Sequence, residues 1–262
     1  MTPAELERIC VAAAQAGAQV LRGLFDRPRE IALKGRIDLV TDADRASEDR
    51  ILDLLRKRAP GAAVLAEESG ESGRGDLRFI VDPLDGTTNY AHGLPLFSCT
   101  VAAEIKGETV AGCTVDPMRG ETFRAHRGGG AFLGARRLAV SNAAALEEAL
   151  VCTGFPYGLG ERLPEMISSF GRFTELARGS RRLGSAALDL AYVAAGRLDV
   201  FWEQGLKPWD VAAGLVLVRE AGGIVSRFDG SPTGLRDGEI LAATPALHDR
   251  ARSILIEARS GR

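Results

Sequence analysis

The residues best equipped for chemistry lie in one run, Val81-Asp82-Pro83-Leu84-Asp85-Gly86-Thr87-Thr88-Asn89. Pro83 fixes its own φ and Gly86 permits a tight turn. Two carboxylates three residues apart on such a turn can face one point, with a main-chain carbonyl between them. Magnesium takes about six hard oxygen ligands at roughly 2.0–2.1 Å and usually keeps some water. Asp82, Asp85 and the Leu84 carbonyl are donors of that kind. The amides and hydroxyls of Gly86, Thr87 and Thr88 follow at once, and they suit phosphate oxygens if a helix begins there. Asp-Pro and Asp-Gly pairs are also ordinary turn formers, so two isolated aspartates would indicate only a capped surface turn. The complete nonapeptide reverses that balance.

Three other acidic segments join it. Glu67-Glu68-Ser69 ends an apolar strand, and that strand delivers Glu67 beside the aspartates of the next one. Carboxylates so close repel unless a cation neutralises them. Asp38-Leu39-Val40-Thr41-Asp42-Ala43-Asp44 and Trp209-Asp210-Val211 stand at predicted helix starts. Thr and Asp there are explained by capping and the helix dipole alone, so each is weak by itself.

The elements that must position these groups follow from apolar spacing and breakers. Thr2-Pro3-Ala4-Glu5 opens a helix reaching about Phe25, and a short strand follows at Ile31–Lys34. A second helix runs from Thr41 to about Ala59, where Pro60-Gly61 stops it. Val64–Glu67 and Phe79–Asp82 read as short buried strands ending in acids, the position where a sheet meets its ligands. Ser98–Val140 reads as an antiparallel meander broken at Lys106-Gly107, Arg119-Gly120 and Gly128–Gly130. Strands and helices then alternate: strand Val151–Thr153, helices Pro164–Ala177 and Ala186–Ala195, and strand Val200–Glu203. A helix from Pro208 to Gly222, a strand at Ile224–Arg227 and a terminal helix from Pro245 complete the chain. The division is placed near residue 145: residues 1–145 form an α+β half with most of the acids, and 146–262 an α/β half with Asp210. No flexible tether joins them, so an extended shared interface is expected.

Composition restricts the function classes. With 33 Lys and Arg against 35 Asp and Glu, no basic surplus points to nucleic acid or an anionic membrane. A phosphate substrate remains compatible, because a bound cation can be the largest positive charge in a site. Cys10, Cys99, Cys113 and Cys152 are widely spaced without a C-x-x-C pair, so reduced buried thiols are expected. Neither a signal pattern nor a run of about 18 apolar residues is present, and a cytoplasmic location is the default. His92, His126 and His248 lack ligand spacing, and Trp202 and Trp209 read as packing residues. Gly73-Arg74-Gly75-Asp76 reads as an exposed loop. Arg127-Gly128-Gly129-Gly130 is no P-loop, since no Gly-Lys-Ser/Thr follows.

Together the four acidic segments resemble the inositol monophosphatase family. The similarity extends through the Gly-rich turn before Ala131-Phe132 and the stretch Arg182-Leu183-Gly184-Ser185-Ala186-Ala187, so it covers nearly the whole chain. It implies an α/β (α+β) fold, the layered α-β-α-β-α sandwich also found in fructose-1,6-bisphosphatases. It implies an enzyme that hydrolyses a small phosphate monoester by metal-activated water, with two to three Mg2+ ions, lithium sensitivity and a homodimer. By the same resemblance Glu67, Asp82, Asp85, Asp210 and the Leu84 carbonyl hold metal, while Thr87 with Asp44, and Glu67, serve catalysis. Gly86 and Thr87 match phosphate-holding positions. Gly184, Ser185, Ala186 and Glu203 match positions that contact the alcohol, and Glu67, Leu84, Asp85 and Asp210 also fall against substrate. Lys207-Pro208 before Trp209 departs from the animal enzymes and leaves the metal acids intact. Inositol 1-phosphate is the expected substrate. Glu203 suits a polyhydroxylated alcohol, because a carboxylate accepts hydrogen bonds from hydroxyls; it also attracts an ammonium, which keeps histidinol phosphate open. Fructose 1,6-bisphosphate and 3′-phosphoadenosine phosphate stay open as well, and an added protein-binding role is compatible with the fold.

Overall fold

The computed structural model describes residues 1–27, 31–33, 39–156 and 160–261; Lys34 and Asp38, named above, lie outside them. Helix α1 (Pro3–Leu24) opens on a reciprocal cap, in which Glu5 N donates to Thr2 Oγ1 and Thr2 N to Glu5 Oε2. Strands β1 (Ile31–Leu33) and β2 (Leu39–Thr41) form a small antiparallel ribbon leading into α2 (Asp42–Arg58). There follow β3 (Ala63–Ala66), β4 (Gly70–Ser72), β5 (Leu77–Asp85), the single-turn α3 (Thr87–Ala91), β6 (Ser98–Ile105), β7 (Glu108–Asp116), β8 (Glu121–His126), β9 (Gly130–Leu133) and β10 (Arg136–Arg137). The second part holds β11 (Leu150–Thr153), α4 (Leu163–Leu176), β12 (Gly179–Arg181), α5 (Ala186–Ala194), β13 (Val200–Gln204), α6 (Pro208–Glu220), β14 (Ile224–Ser226), β15 (Glu239–Ala243) and α7 (Pro245–Arg259).

Eight strands make the first sheet, in the order β10-β9-β8-β7-β6-β5-β3-β4, antiparallel except for the β3–β5 pair. Five make the second, in the order β12-β11-β13-β15-β14. Helices α1 and α2 cover the outer face of the first sheet, α5 and α6 fill the space between the sheets, and α4 and α7 cover the second. This is the expected α-β-α-β-α sandwich. The central helices are apolar nearly all round, as burial between two layers demands. Among the described residues no helix is long and apolar enough to cross a membrane. All four cysteines are buried free thiols, and burial lifts each thiol above its ordinary range.

The element boundaries differ from the sequence expectation where pairing outweighs composition. Strand β15 is absent from that expectation, although it joins β13 to β14; its Glu-Ile-Leu-Ala-Ala run is too short to separate strand from helix by periodicity. Edge strands β4 and β12, Gly-Glu-Ser and Gly-Ser-Arg, have no apolar signal and exist only through their partners. Strand β5 continues three residues beyond Asp82, so the acids of the central motif sit on a strand and not on a turn after it.

One close approach brings α6, and Asp210 with it, onto the first sheet. A Cβ on Gly112 in β7 would lie 2.7 Å from the Ala213 Cα of α6, and backbone cannot swing aside as a flexible side chain can. Gly112→Val should therefore push α6 outward. Overpacking of this kind costs about 1–3 kcal/mol, and a lowered thermal midpoint accompanied by reduced turnover is the expected result. Turnover reduced at an unchanged midpoint would deny the packing argument.

Candidate active site

The geometry of the central motif comes from a bulge. Asp82 pairs with Thr100 and Asp85 with Ser98, so three steps along β5 oppose two along β6. In a regular strand residues i and i+3 point to opposite faces; one extra residue restores them to the same face. Helix α2 supports this irregular stretch. Ser47 Oγ donates to the Pro83 carbonyl at 3.0 Å, and the Glu48 carboxylate accepts the Glu68 and Ser69 amides, each at 2.9 Å. Asp44, Ser47 and Glu48 share one helix face and are all buried, so the stripe that begins as site support continues into the apolar contacts of Ile51 and Leu55. Ser47 and Glu48 support the cavity wall from behind, and the motifs do not reveal them. Their signal in the sequence is polar residues at core-facing spacing.

Asp44 has two duties. It accepts from Thr41 N at 2.8 Å as the helix cap, and from Thr87 Oγ1 at 3.1 Å. The Thr87 hydroxyl also lies 3.0 Å from the Leu84 carbonyl, giving its single proton two acceptors. Gly86, before it, has φ +97° and serves as the N-cap of α3; an added Cβ would meet the Leu96 and Gly184 carbonyls at 3.1 and 3.2 Å. The turn is held from beneath by edge contacts among Phe25, Tyr90 and Phe97, and Tyr90 donates to the Leu21 carbonyl.

The second half closes the site. Ser185, the N-cap of α5, does not cap its own helix; Asp85 does so from a hundred positions away. Asp85 Oδ2 accepts from Ser185 Oγ at 2.5 Å and from Ala187 N at 2.9 Å, with Ser98 Oγ at 3.4 Å. Asn89 spans the same junction, donating from Nδ2 to the Leu96 and Leu183 carbonyls at 2.7 and 2.8 Å. Asp210 sits in the first turn of α6, where Oδ2 accepts the Lys207 amide at 2.7 Å. Glu203, on β13, lies flat against Gly154, where any side chain would collide with its carboxylate.

These groups border one cavity of about 490 Å³. Its wall includes Glu67, Asp82, Leu84, Asp85, Gly86, Thr87, Gly184, Ser185, Ala186, Glu203 and Asp210, while Asp44 stands behind Thr87. Trp209, expected only to pack, borders this cavity as well as the Ala212–Ala213 layer, whereas Trp202 stacks on Phe173 at 4.0 Å. Two of the histidines have partners elsewhere: His126 meets Glu7, and His248 meets Ser226. The glycine-rich turn also has a structural task, its Gly128 and Gly130 amides donating to the Glu220 carboxylate.

One carboxylate oxygen from each of Asp82, Asp85 and Asp210 lies within 4.8 Å of the others. At an effective dielectric of about 20, two unit charges at that separation repel by about 3.5 kcal/mol. Burial, with the Glu67, Asp85 and Asp210 carboxylates, accordingly raises Asp82 well above its ordinary range. Burial and the Asp85 charge do the same to Asp210. Asp85 is also raised by burial, held back by the Ser185 and Ala187 donors. Glu203 is pushed up by burial and by Asp189, with Arg182 opposing. An all-oxygen, mutually repelling set fits a hard divalent cation, which would remove the repulsion and satisfy the carboxylates together.

A sheet sandwich with such an acid-lined cleft at its junction is a scaffold suited to hold a divalent cation, and similarity to known proteins gives the family. A profile of the inositol monophosphatase family matches residues 2–260. The chain is 45% identical over 253 residues to an inositol-1-monophosphatase of Synechocystis sp., covering 95% of this chain and 88% of that one. It is 46% identical over 242 residues to Nus factor SuhB of Salmonella typhimurium, covering 90% of each. The crystal structure of extragenic suppressor protein suhB from Bartonella henselae superposes with a TM-score of 0.90 at 41% identity, covering 95% of this chain and 97% of that one. The chain belongs to the inositol monophosphatase family, and it is a phosphatase.

The raised carboxyl pKa values have a direct consequence for stability. These acids hold protons more tightly in the folded chain than in the unfolded one, where Asp has its ordinary value of 3.8. Without cation, their contribution is full below that value and is lost as pH rises through the raised folded values. Melting curves in chelator should therefore show a midpoint falling above about pH 4, and a hard divalent cation should restore it at pH 8. In Asp82→Asn both the decline and the restoration should shrink. Equal slopes in the two proteins would contradict the assignment.

Proposed function

We propose that this phosphatase releases phosphate from the monoester of a small polyol, inositol 1-phosphate matching best, with two to three Mg2+ ions held by Glu67, Asp82, Asp85, Asp210 and the Leu84 carbonyl. The observation that carries the reading is the convergence, on one cavity, of three mutually close carboxylates, the Thr87–Asp44 pair and the half-buried Glu203. Bound divalent cations supply charge neutralisation and make a coordinated water more acidic.

The chain's own residues do the rest. Asp44 can hold the Thr87 hydroxyl proton, which turns the lone pairs of Oγ1 toward the cavity to accept from an attacking water. The Gly86 and Thr87 main chain orients phosphate oxygens at the start of α3. The Ser185 hydroxyl and the Ala187 amide donate to the Asp85 carboxylate and fix it in place, so Ser185 and Ala186 contribute to alcohol binding through the wall they form with Gly184. Glu203 accepts hydrogen bonds from the hydroxyls of the leaving alcohol. No side-chain nucleophile is needed, and the rate gain comes from positioning and electrostatics. A homodimer, lithium inhibition and a cytoplasmic setting belong to the same reading.

The test is phosphate release across a magnesium titration with two substrates, inositol 1-phosphate and p-nitrophenyl phosphate. Asp82→Asn should stay folded and lose nearly all turnover on both; near-normal rates at moderate magnesium would remove the metal assignment. Thr87→Ala should lower kcat by about 10²–10⁴-fold, the usual worth of general-base assistance, and a change confined to KM would make Thr87 a ground-state contact. Glu203→Gln should lower kcat/KM for inositol 1-phosphate by about 10–150-fold, the worth of a charge-assisted hydrogen bond, and hardly touch the nitrophenyl ester. Equal losses on both would place Glu203 in the reaction or in the core.

A further inference from the structure

Glu48 is a buried carboxylate that the proposed reaction does not use. It stands in the middle of α2, is 3% exposed and takes no part in the cavity wall. Among the described residues no cationic side chain forms an ion pair with it. Asp44 lies one turn before it on the same face, and like charges at that spacing weaken a helix. Helix stability therefore does not explain the residue. Its partners do. Both oxygens accept main-chain hydrogen bonds, Oε2 from Glu68 N and Oε1 from Ser69 N, each at 2.9 Å. Those amides follow Glu67 directly. The register of β3 against β5 pairs Ala66 with Val81, so Glu67 and Asp82 leave the ladder side by side. Glu67 N still donates to the Val81 carbonyl at 3.2 Å, and the chain then turns away toward the polar edge strand β4. Three consecutive amides are thus fixed, the first by the sheet and the next two by Glu48.

We infer that Glu48 is a positioning residue: it clamps the corner at Glu68 and Ser69, holds the Glu67 carboxylate beside Asp82, and so sets the affinity of the acid set for a divalent cation. The inference rests on the metal assignment proposed above. Two adjacent N–H groups need two acceptors at a fixed separation, and a carboxylate supplies both from one side chain with charge assistance. Glutamine supplies one oxygen and turns an NH2 group against the other amide. Aspartate keeps both oxygens but is one methylene shorter, so from the same helix position it falls short of the two amides. Groups that orient a metal's ligands from outside typically change affinity by about 10–100-fold when altered. Glu48 acts on Glu67 through the backbone and touches neither ion nor substrate.

The experiment is a calorimetric titration of the full-length protein with magnesium, without substrate, for the parent, Glu48→Gln and Glu48→Asp. Both variants should bind magnesium with a Kd raised by about 10–100-fold. Phosphate release from inositol 1-phosphate should need correspondingly more magnesium for half its full rate, with kcat returning toward the parental value at saturating magnesium. A residue that only stabilised the fold would lower the melting temperature in chelator and leave the magnesium Kd in place; that result overturns the inference. So does a raised Kd in Glu48→Gln with a parental Kd in Glu48→Asp, because charge alone would then matter and reach would not. Should Glu48→Gln fail to fold, the Kd of Glu48→Asp decides between the two outcomes by itself. A parent that binds no magnesium counts instead against the metal assignment, which Asp82→Asn tests separately.

Discussion

The structure depends on keeping several carboxylates close together where two sheets meet. Like charges at such distances resist burial, and the neighbouring elements answer that resistance with fixed donors. The bonds that Asp85 accepts from the Ser185 hydroxyl and the Ala187 amide are the clearest example, and together they form one contact. It neutralises part of the Asp85 penalty and caps α5. In the same contact it ties the first sheet to the helical layer between the sheets. One carboxylate thus couples the electrostatics of the cleft to the docking of the two halves. Asn89, bonded to carbonyls on both sides of the junction, reinforces the tie without adding charge.

The bulge in β5 is the second constraint. A strand is a poor place to bring residues i and i+3 together, and a loop would bring them together loosely. An irregular strand paired to β6 on both sides of the irregularity avoids both problems, because the ladder fixes the backbone there. Helix α2 then fastens the part that the ladder cannot hold, through the Pro83 carbonyl. The precision of the acid pair is that of a sheet, although its direction is that of a turn.

How much of this is legible in the sequence depends on how local each device is. The Asp82–Asn89 run, the Glu67 strand end and the helix starts at Thr41 and Pro208 are readable because capping, apolar runs and motif spacing are properties of short segments. The bulge is not, since it is defined by the register against β6. Ser47 and Glu48 look like surface residues of a charged helix until the sheet covers them. Gly112 is ordinary in a strand until Ala213 lies against it. Arg162, Arg182 and Lys207 are likewise unremarkable apart, and only folding brings them to one cavity. Strand β15 shows the limit for regular structure, a short run whose identity comes from the strands on each side.

The order of the acids along the chain has a consequence for biosynthesis. Glu67, Asp82 and Asp85 leave the ribosome early, whereas α6 with Asp210 emerges more than a hundred residues later. The nascent first sheet must therefore carry a cluster of acids before its last partner exists, at a time when α6 is also missing from the apolar face that it will cover. Contacts of such long sequence separation form late and slowly. Under the proposed metal assignment, cation capture by the complete acid set is a mark of finished assembly: a chain able to hold the ion has already placed its second half.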